Sequence, residues 1–379
     1  MLIYLALSAV TVFAASLLLL HFGEPSALAA AHLVLAVGIM PLIFGAITHF
    51  VPVLTRSGRA HRAVLVAPLL LQGAAGAAFL HFFGVAGVAV LRAAAAGALL
   101  VALAFSGWLI THARQTLGKP HPGWRWYLAA VGLLSCGLAA IPAMAWRPDA
   151  QAPLRLLHVH LNTLGFIGLT AIGTVQVLLP TVLSGPDAEA ALRLRRDLGF
   201  FVVGVLAVAL GASLWLPLAL GGVAVLLTIG WRLGLSWLRR YGLRTIAGDG
   251  AAAALGAALL GFLLTCVLGV MHAFRVVGGR TAVATFVVIF LLPLVTGALS
   301  QLLPVWSWPG PRTPAREQMR ATLVAGGTWR ALFFLVGGLL LACGNPEGFW
   351  LAAGGLVSFV IGLLRSLSSS AFGNKILKQ

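Results

Sequence analysis

Apolar runs of about 20 residues follow one another along the whole chain, and this feature limits the possible folds most strongly. A helix of about 20 apolar residues spans the hydrocarbon core of a bilayer. The sequence is 60% hydrophobic and only 9% charged. Its apolar segments do not alternate polar and apolar residues at a period of two, as the strands of a membrane β-barrel do. We therefore expect an all-α polytopic membrane protein.

Twelve of these runs are predicted to cross the membrane. The first has no basic segment before it and no evident cleavage site, so we expect it to be a retained helix and not a signal peptide. The predicted helices lie near 2–20, 27–54, 63–82, 85–112, 125–146, 153–183, 197–213, 215–237, 251–272, 281–305, 326–343 and 348–366.

The positions of the basic residues predict the orientation. A net charge of +17 would suggest a nucleic-acid partner in a soluble protein, but in a membrane protein lysines and arginines collect in cytoplasmic loops. With the N-terminus inside, only five of the 25 basic residues fall on the outer side, namely Arg92, Arg147, Arg155, Arg275 and Arg280. We predict a multi-pass protein of the cell inner membrane with both termini cytoplasmic, in contact with membrane lipids and with no nucleic-acid partner.

Three of the predicted helices resemble one another. The second reads HLVLAVGIMPLIFGAITHFVPVL from His32, the sixth HLNTLGFIGLTAIGTVQVLLPTVL from His160, and the tenth TFVVIFLLPLVTGALSQLLPVW from Thr285. A shift of 128 positions superposes the second on the sixth, and a shift of 252 superposes it on the tenth. The matched positions include Gly45, Gly173 and Gly297, and Pro52, Pro180 and Pro304. We predict one transmembrane domain of three four-helix repeats, roughly 1–123, 124–247 and 248–379, with pseudo-threefold symmetry about the membrane normal.

Histidines near the predicted outer ends of helices indicate a cofactor site. Ionisable groups within membrane helices are costly and usually mark a ligand site or a functional path. Imidazole is a common ligand of haem iron and of copper. We therefore predict cofactor-binding roles for His32, His160 and His272, and metal ligation by His158 and His160. His158 and His160 are two residues apart and so point to different neighbours of a regular helix.

Acidic chemistry inside the membrane is not expected. None of the eight acidic residues lies within a predicted helix away from its ends. This argues against an acid/base hydrolase and against a carboxylate proton relay in the bilayer. We assign no catalytic residue from the sequence.

The segment HVHLNTLGFIGLTAIGTVQVLLPTVL, from His158, resembles the sixth-helix segment of the haem-copper oxidase subunit I superfamily, especially its divergent members, and NnrS-like membrane proteins. The likeness extends to twelve helices in three groups of four. It implies haem b, copper or both as cofactors, with His32 as a haem ligand and His158 or His160 as a copper ligand. It also implies a role in nitric oxide or redox stress, or support of respiratory enzymes, with other respiratory or redox membrane proteins as partners.

The resemblance is incomplete at the residue level. The predicted tenth and seventh helices contain no histidine, although in that superfamily both helices provide ligands, so we do not expect the protein to reduce dioxygen. Two other classes stay open. One is a metal-free transporter or channel whose pores are lined by the even-numbered helices, and the other is an assembly factor with an empty site.

Overall fold

The computed structural model describes residues 1–22, 27–116 and 118–376, and their side chains as far as residue 368. Glu24, one of the predicted loop acids, lies outside the described residues. The described chain contains twelve helical segments that are long and apolar enough to cross a membrane, so the prediction of an all-α, multi-pass membrane protein is confirmed. We label them α1–α12: Leu2–Phe22, Ala27–Thr55, Arg62–Phe82, Val88–Arg114, Gly123–Trp146, Pro148–Leu183, Ala190–Leu214, Leu216–Tyr241, Gly250–Ala273, Gly279–Ser307, Pro314–Ala342 and Gly348–Ser368.

Helix α7 begins seven residues before its predicted start. Its first turns carry Arg193, Arg195 and Arg196, followed by Asp197. The Asp197 side chain is buried, with 5% exposure, and the Arg196 guanidinium donates to both of its carboxylate oxygens at 2.7 and 3.0 Å. Asp197 lies within α7 and away from its ends, so the expectation that acidic residues occur only in loops or near helix ends is wrong. The ion pair with Arg196 offsets the cost of burying the carboxylate.

Segment α11 consists of two helices, of which the sequence predicted only the second. The first, Pro314–Val324, starts at Thr313, whose hydroxyl accepts the Arg316 N–H. The second is Gly327–Ala342, and Gly326 separates the two in a left-handed conformation with φ of 68°. Threonine before a proline is a common helix start, but the charges on Pro314–Val324 made the segment resemble a loop.

The three helices of the predicted repeat are the most buried in the chain. Half of the most apolar 18-residue stretch of α2 is buried, and 72% of the corresponding stretch in α6 and in α10. In each of the other nine segments the buried share is 44% or less. Of the twelve segments, these three therefore have the largest share of residues packed against protein.

The three matched glycines each contact another helix closely. A Cβ atom on Gly45 would meet Leu5 of α1, one on Gly173 would meet Trp126 of α5, and one on Gly297 would meet Ala254 of α9. All three glycines are buried, and each touches the first helix of its own predicted repeat. Close approach of helices at small residues is typical of membrane proteins.

A π-helical stretch interrupts each of the same three helices near its start. The stretches are His32–Ile39 in α2, Leu161–Gly168 in α6 and Phe286–Leu291 in α10. Shifted back by 128 and by 252 positions, the second and third stretches fall on residues 33–40 and 34–39 of α2. π-helical stretches are rare in proteins as a whole, but many of them occur at functional sites. Their recurrence at matched positions marks this part of α2, α6 and α10 as a candidate functional region.

The chain packs into two compact units. The first comprises Met1–Gln176 and Ala188–Gly230, and the second comprises Val177–Asp187 and the chain from Trp231 onwards. In the first unit the ring of the buried Phe44 has its centroid 4.6 Å from that of Phe105 and 5.6 Å from that of Phe166. Aromatic pairs at these separations stabilise a packed core.

The second unit is stabilised by a polar network that begins at Asp249. One carboxylate oxygen of Asp249 accepts the N–H groups of Ala251 and Ala252, which start α9. The other accepts the Arg320 guanidinium at 2.6 Å, and Arg320 also donates to Gln301 of α10 at 2.7 Å. Asp249 thus caps one helix and connects it with two others, which favours a single arrangement of this end of the unit.

Candidate functional site

His32 lies at the start of the π-helical stretch of α2. Its Nδ1 atom is 2.8 Å from the Leu28 carbonyl oxygen, one turn earlier. The imidazole is half-buried, and its centroid lies 4.2 Å from the ring centroid of Phe82, at the end of α3. The hydrogen bond and the ring contact together fix the orientation of this imidazole.

His158 lies ten residues into α6 and contacts the neighbouring helix α5. Its Nδ1 atom is 2.8 Å from the carbonyl oxygen of Gly137. The Asn162 amide, one turn further on, donates to the His158 carbonyl oxygen at 2.7 Å. Gly137 leaves room for that amide, because a Cβ atom there would lie 2.8 Å from Asn162 Nδ2.

His160 has a different environment. Its Nδ1 atom is 2.8 Å from the Leu156 carbonyl oxygen of its own helix, whereas His158 reaches across to α5. The expectation that the two imidazoles meet different neighbours agrees with these hydrogen bonds. Of the two, His158 is the one that the helix packing connects with other candidate residues.

His81, at the end of α3, is a residue that the sequence analysis did not select. Its Nδ1 atom is 2.9 Å from the Ala86 carbonyl oxygen, and Gly84 between them has φ of 85°. His272, at the end of α9, has the same local arrangement: Nδ1 is 2.7 Å from the Val277 carbonyl oxygen, and Arg275 has φ of 61°. The shared pattern, His-x-x-Gly/Arg-Val-x-Gly, was the signal in the sequence that could have drawn attention to His81.

The first unit brings three of these histidines near one another. His158 and His81 both lie close enough to His32 for a charge on either ring to act on the His32 imidazole; we call these three residues the His32 cluster. His272 belongs to the second unit. Within the part of the chain that the structure describes, no group of three or more His, Cys, Asp or Glu side chains is placed to hold a metal ion.

The hydrogen bonds determine which ring nitrogen of each imidazole carries its proton. A carbonyl oxygen only accepts, so the Nδ1 atom that faces it must donate. This holds for His32 and His81, whose Nε2 atoms then keep their lone pairs. At His158, Nδ1 faces both the Gly137 carbonyl oxygen at 2.8 Å and the donor Nδ2 of Asn162 at 3.2 Å, and the shorter contact favours the same tautomer. Histidines that ligate metals commonly donate their second ring N–H to a backbone carbonyl in this way. The donor chemistry of the cluster therefore fits an imidazole-ligated group.

Further along α6, polar side chains are buried without hydrogen bonds. Gln176 is only 1% exposed, and neither atom of its amide has a hydrogen-bond partner. The hydroxyl of Thr170 and the Oδ1 atom of Asn162 are also buried without one. Unpaired buried polar groups are costly and uncommon, and each calls for a functional or structural explanation.

Two histidines at the predicted inner side do not join the cluster. His112 of α4 is buried, its ring centroid lies 5.2 Å from that of Trp108, and its Nε2 atom has no hydrogen-bond partner. His49 lies 17 residues after His32 on the same helix, a separation of about 25 Å at the usual rise of an α-helix. At that separation, His49 cannot serve the same small site as His32.

Comparison with known proteins adds no assignment: no protein-family model matches the chain, and no curated protein matches it in sequence.

Proposed function

We propose that the protein is a haem- or copper-binding integral membrane protein whose cofactor is held by His32 and His158 of the His32 cluster. The observation that carries the proposal is the set of hydrogen bonds from Nδ1 to backbone carbonyls, which orients both imidazoles and keeps Nε2 as a lone-pair donor. The π-helical stretch that starts at His32 adds support, because such stretches are frequent at functional sites.

Haem b is the better match to this cluster. Haem iron needs only one or two axial imidazoles from the protein, whereas copper sites usually have three or more side-chain ligands. His81, beside His32, is positioned to influence the charge at the site. His160 and His272, the other predicted ligands, stay predictions.

When bound, the cofactor would bind a diatomic gas such as nitric oxide or would transfer single electrons. The protein would orient the imidazoles through the carbonyls of Leu28 and Gly137 and exclude water with apolar rings such as Phe82. These roles suit a haem-copper-oxidase-like or NnrS-like protein of the cell inner membrane that acts in nitric oxide or redox stress, with respiratory membrane proteins as partners. Dioxygen reduction is not part of the proposal, because α7 and α10 contain no histidine.

We also infer that the twelve helices form three repeats around a pseudo-threefold axis. Three features support this architecture: the π-helical stretches at matched positions, the contact of each matched glycine with the first helix of its unit, and the burial of α2, α6 and α10. A repeat of four helices keeps the same orientation in the membrane each time it recurs, which agrees with both termini lying in the cytoplasm.

A metal-free transporter is the second candidate, and Gln176 favours it. Its amide is buried in α6 without hydrogen bonds. A polar group in that position is suited to contact a passing substrate or water, since helices with irregular backbone often line transport paths. The two candidates differ in whether the purified protein contains metal.

The decisive experiment is expression with added haem precursor and copper, then purification in mild detergent. We expect a Soret absorption band, or stoichiometric copper by elemental analysis. Protein that is monodisperse and helical by circular dichroism, yet has no absorption band and no metal, would contradict the proposal and favour the transporter.

A further inference from the structure

A cleft of about 360 Å³ opens in the first unit, away from the His32 cluster, at the predicted cytoplasmic side. Its walls come from the connection between α4 and α5, the start of α5 and the first turns of α7. The residues that line it are Lys119, Pro120, Pro122, Arg125 and Arg195. The lining thus combines three cationic side chains with two prolines and includes no carboxylate.

Hydrogen bonds hold the walls of the cleft in place. The Trp126 indole N–H of α5 donates to the carbonyl oxygen of Leu194 at 2.9 Å, directly before Arg195. The backbone N–H of His121 donates to the Leu54 carbonyl oxygen at the end of α2, also at 2.9 Å. The His121 ring accepts the Gly123 N–H through Nδ1 at 3.2 Å. The α4–α5 connection is therefore fastened to α2 and α5, and α5 is fastened to α7.

The three cations of the cleft contrast with their neighbours on α7. Arg193 bonds to Glu189 at 3.4 Å and Arg196 bonds to Asp197 at 2.7 Å. Among the described residues, the salt bridges include none made by Lys119, Arg125 or Arg195. Positive charges concentrated without a counter-charge attract anions.

The direction of the pKa shift of His121 agrees with a positive potential at the cleft. Burial lowers the pKa of the His121 imidazole, and the nearby charge of Arg195 lowers that pKa further. The imidazole therefore stays neutral at pH 7, where it keeps the hydrogen bond from Gly123. The net charge around the cleft comes from the lysine and the two arginines.

We propose that this cleft binds a phosphate group, carried either by an anionic lipid headgroup or by a soluble cytoplasmic anion. Arginine offers a planar fork of donors that matches phosphate oxygens, and lysine adds a further positive charge. The volume lies in the range of small-ligand sites, larger than an inorganic phosphate needs. The guanidinium of Arg125 also lies 5.8 Å from the centre of the Trp124 ring, and tryptophans are enriched at the membrane surface, where headgroups lie.

The test measures binding of two probes to the purified full-length protein in an uncharged detergent. One probe is phosphatidylglycerol, compared with phosphatidylcholine, and the other is inorganic phosphate in the absence of lipid. Native mass spectrometry reports lipid adducts, and the melting temperature as a function of concentration reports both ligands. The variants are Arg125→Gln with Arg195→Gln, and a control of equal charge, Arg59→Gln with Arg244→Gln, at two exposed positions outside the cleft.

We expect the cleft variant to bind its ligand at least about tenfold more weakly, as the loss of charge-assisted hydrogen bonds predicts, and the control to bind like the wild type. Saturable binding of phosphatidylglycerol alone identifies a lipid site, whereas binding of inorganic phosphate with the same dependence on the variants identifies a soluble anion. Equal binding by the two double variants, or no preference for either anion over phosphatidylcholine, would overturn the proposal. Replacing Arg195 with lysine instead of glutamine keeps the positive charge and should recover part of the affinity that Arg195→Gln loses. These outcomes are independent of whether the protein contains haem or copper.

Discussion

The imidazole of His158 donates from Nδ1 to the carbonyl oxygen of Gly137 over 2.8 Å, and this hydrogen bond joins α6 to α5. Residue 137 has no side chain, and the Asn162 amide occupies the space that a Cβ atom would need. That amide donates to the His158 carbonyl oxygen, so Gly137 leaves room for a contact beside the candidate ligand.

Replacing Gly137 with alanine should therefore disturb this region. The added methyl group would lie 2.8 Å from Asn162 Nδ2, and overpacking of this kind costs about 1–3 kcal/mol. We expect a lower melting temperature in detergent and a reduced or shifted cofactor absorption band. Gly132→Ala, on the same helix, is the matched control, because nothing lies within 4 Å of the added atom. Equal melting temperatures for the two variants would show that the contact is not important.

The three matched glycines should differ in their tolerance of alanine. At Gly297 the new Cβ would lie 3.1 Å from the backbone nitrogen of Leu255, which cannot move aside, so we expect the largest loss of melting temperature there. At Gly45 the nearest atom is the end of the flexible Leu5 side chain, and the loss should be the smallest. Gly76→Ala and Gly107→Ala, both in open space, serve as controls. If the controls lose as much stability as Gly297→Ala, close helix contact does not explain these glycines.

The orientation in the membrane is testable with single cysteines. In a background without Cys136, Cys266 and Cys343, Gln115→Cys should be protected from an impermeant thiol reagent in intact cells, because the distribution of basic residues predicts that its loop lies in the cytoplasm. Val85→Cys, whose parent residue is 70% exposed in the α3–α4 connection, should react. The reverse labelling pattern would refute the predicted topology.

Stability should also fall as the pH decreases through the range in which His121 titrates. In the folded protein its pKa lies below the ordinary value of 6.5. As the pH falls below about 6.5, the unfolded chain therefore binds a proton before the folded protein does, and the free energy of unfolding decreases. Protonation also removes the acceptor for the Gly123 N–H. His121→Asn should show a smaller drop in melting temperature between pH 7.5 and pH 5 than the wild type. An identical drop in both proteins would mean that other groups control the pH dependence.

The number of membrane-spanning helices could be predicted from the sequence, because the length of the apolar runs determines it. The start of α7 was not predicted, since Arg193 to Asp197 look like a loop until the ion pair between Arg196 and Asp197 is known. The helix Pro314–Val324 was missed for a similar reason, although Thr313 and Pro314 gave a starting signal.

The candidate site was only partly predictable. His32 and His158 stand out because they are ionisable residues near the starts of apolar helices. Their association with His81 depends on how α2, α3 and α6 pack, and a single sequence does not contain that information. The role of Gly137 is likewise invisible without the position of Asn162. The three-repeat symmetry and the cofactor stay predictions.

Visible absorption and metal content per protein, measured for the wild type and for His158→Ala, test whether the protein binds haem or copper through the His32 cluster. His61→Asn is the control, because asparagine can keep the helix cap that His61 provides at the start of α3. We predict a coloured or copper-containing wild type, a matching His61→Asn, and a shifted spectrum or loss of metal in His158→Ala. A folded wild type without colour or metal, or undiminished cofactor in His158→Ala, would contradict the claim.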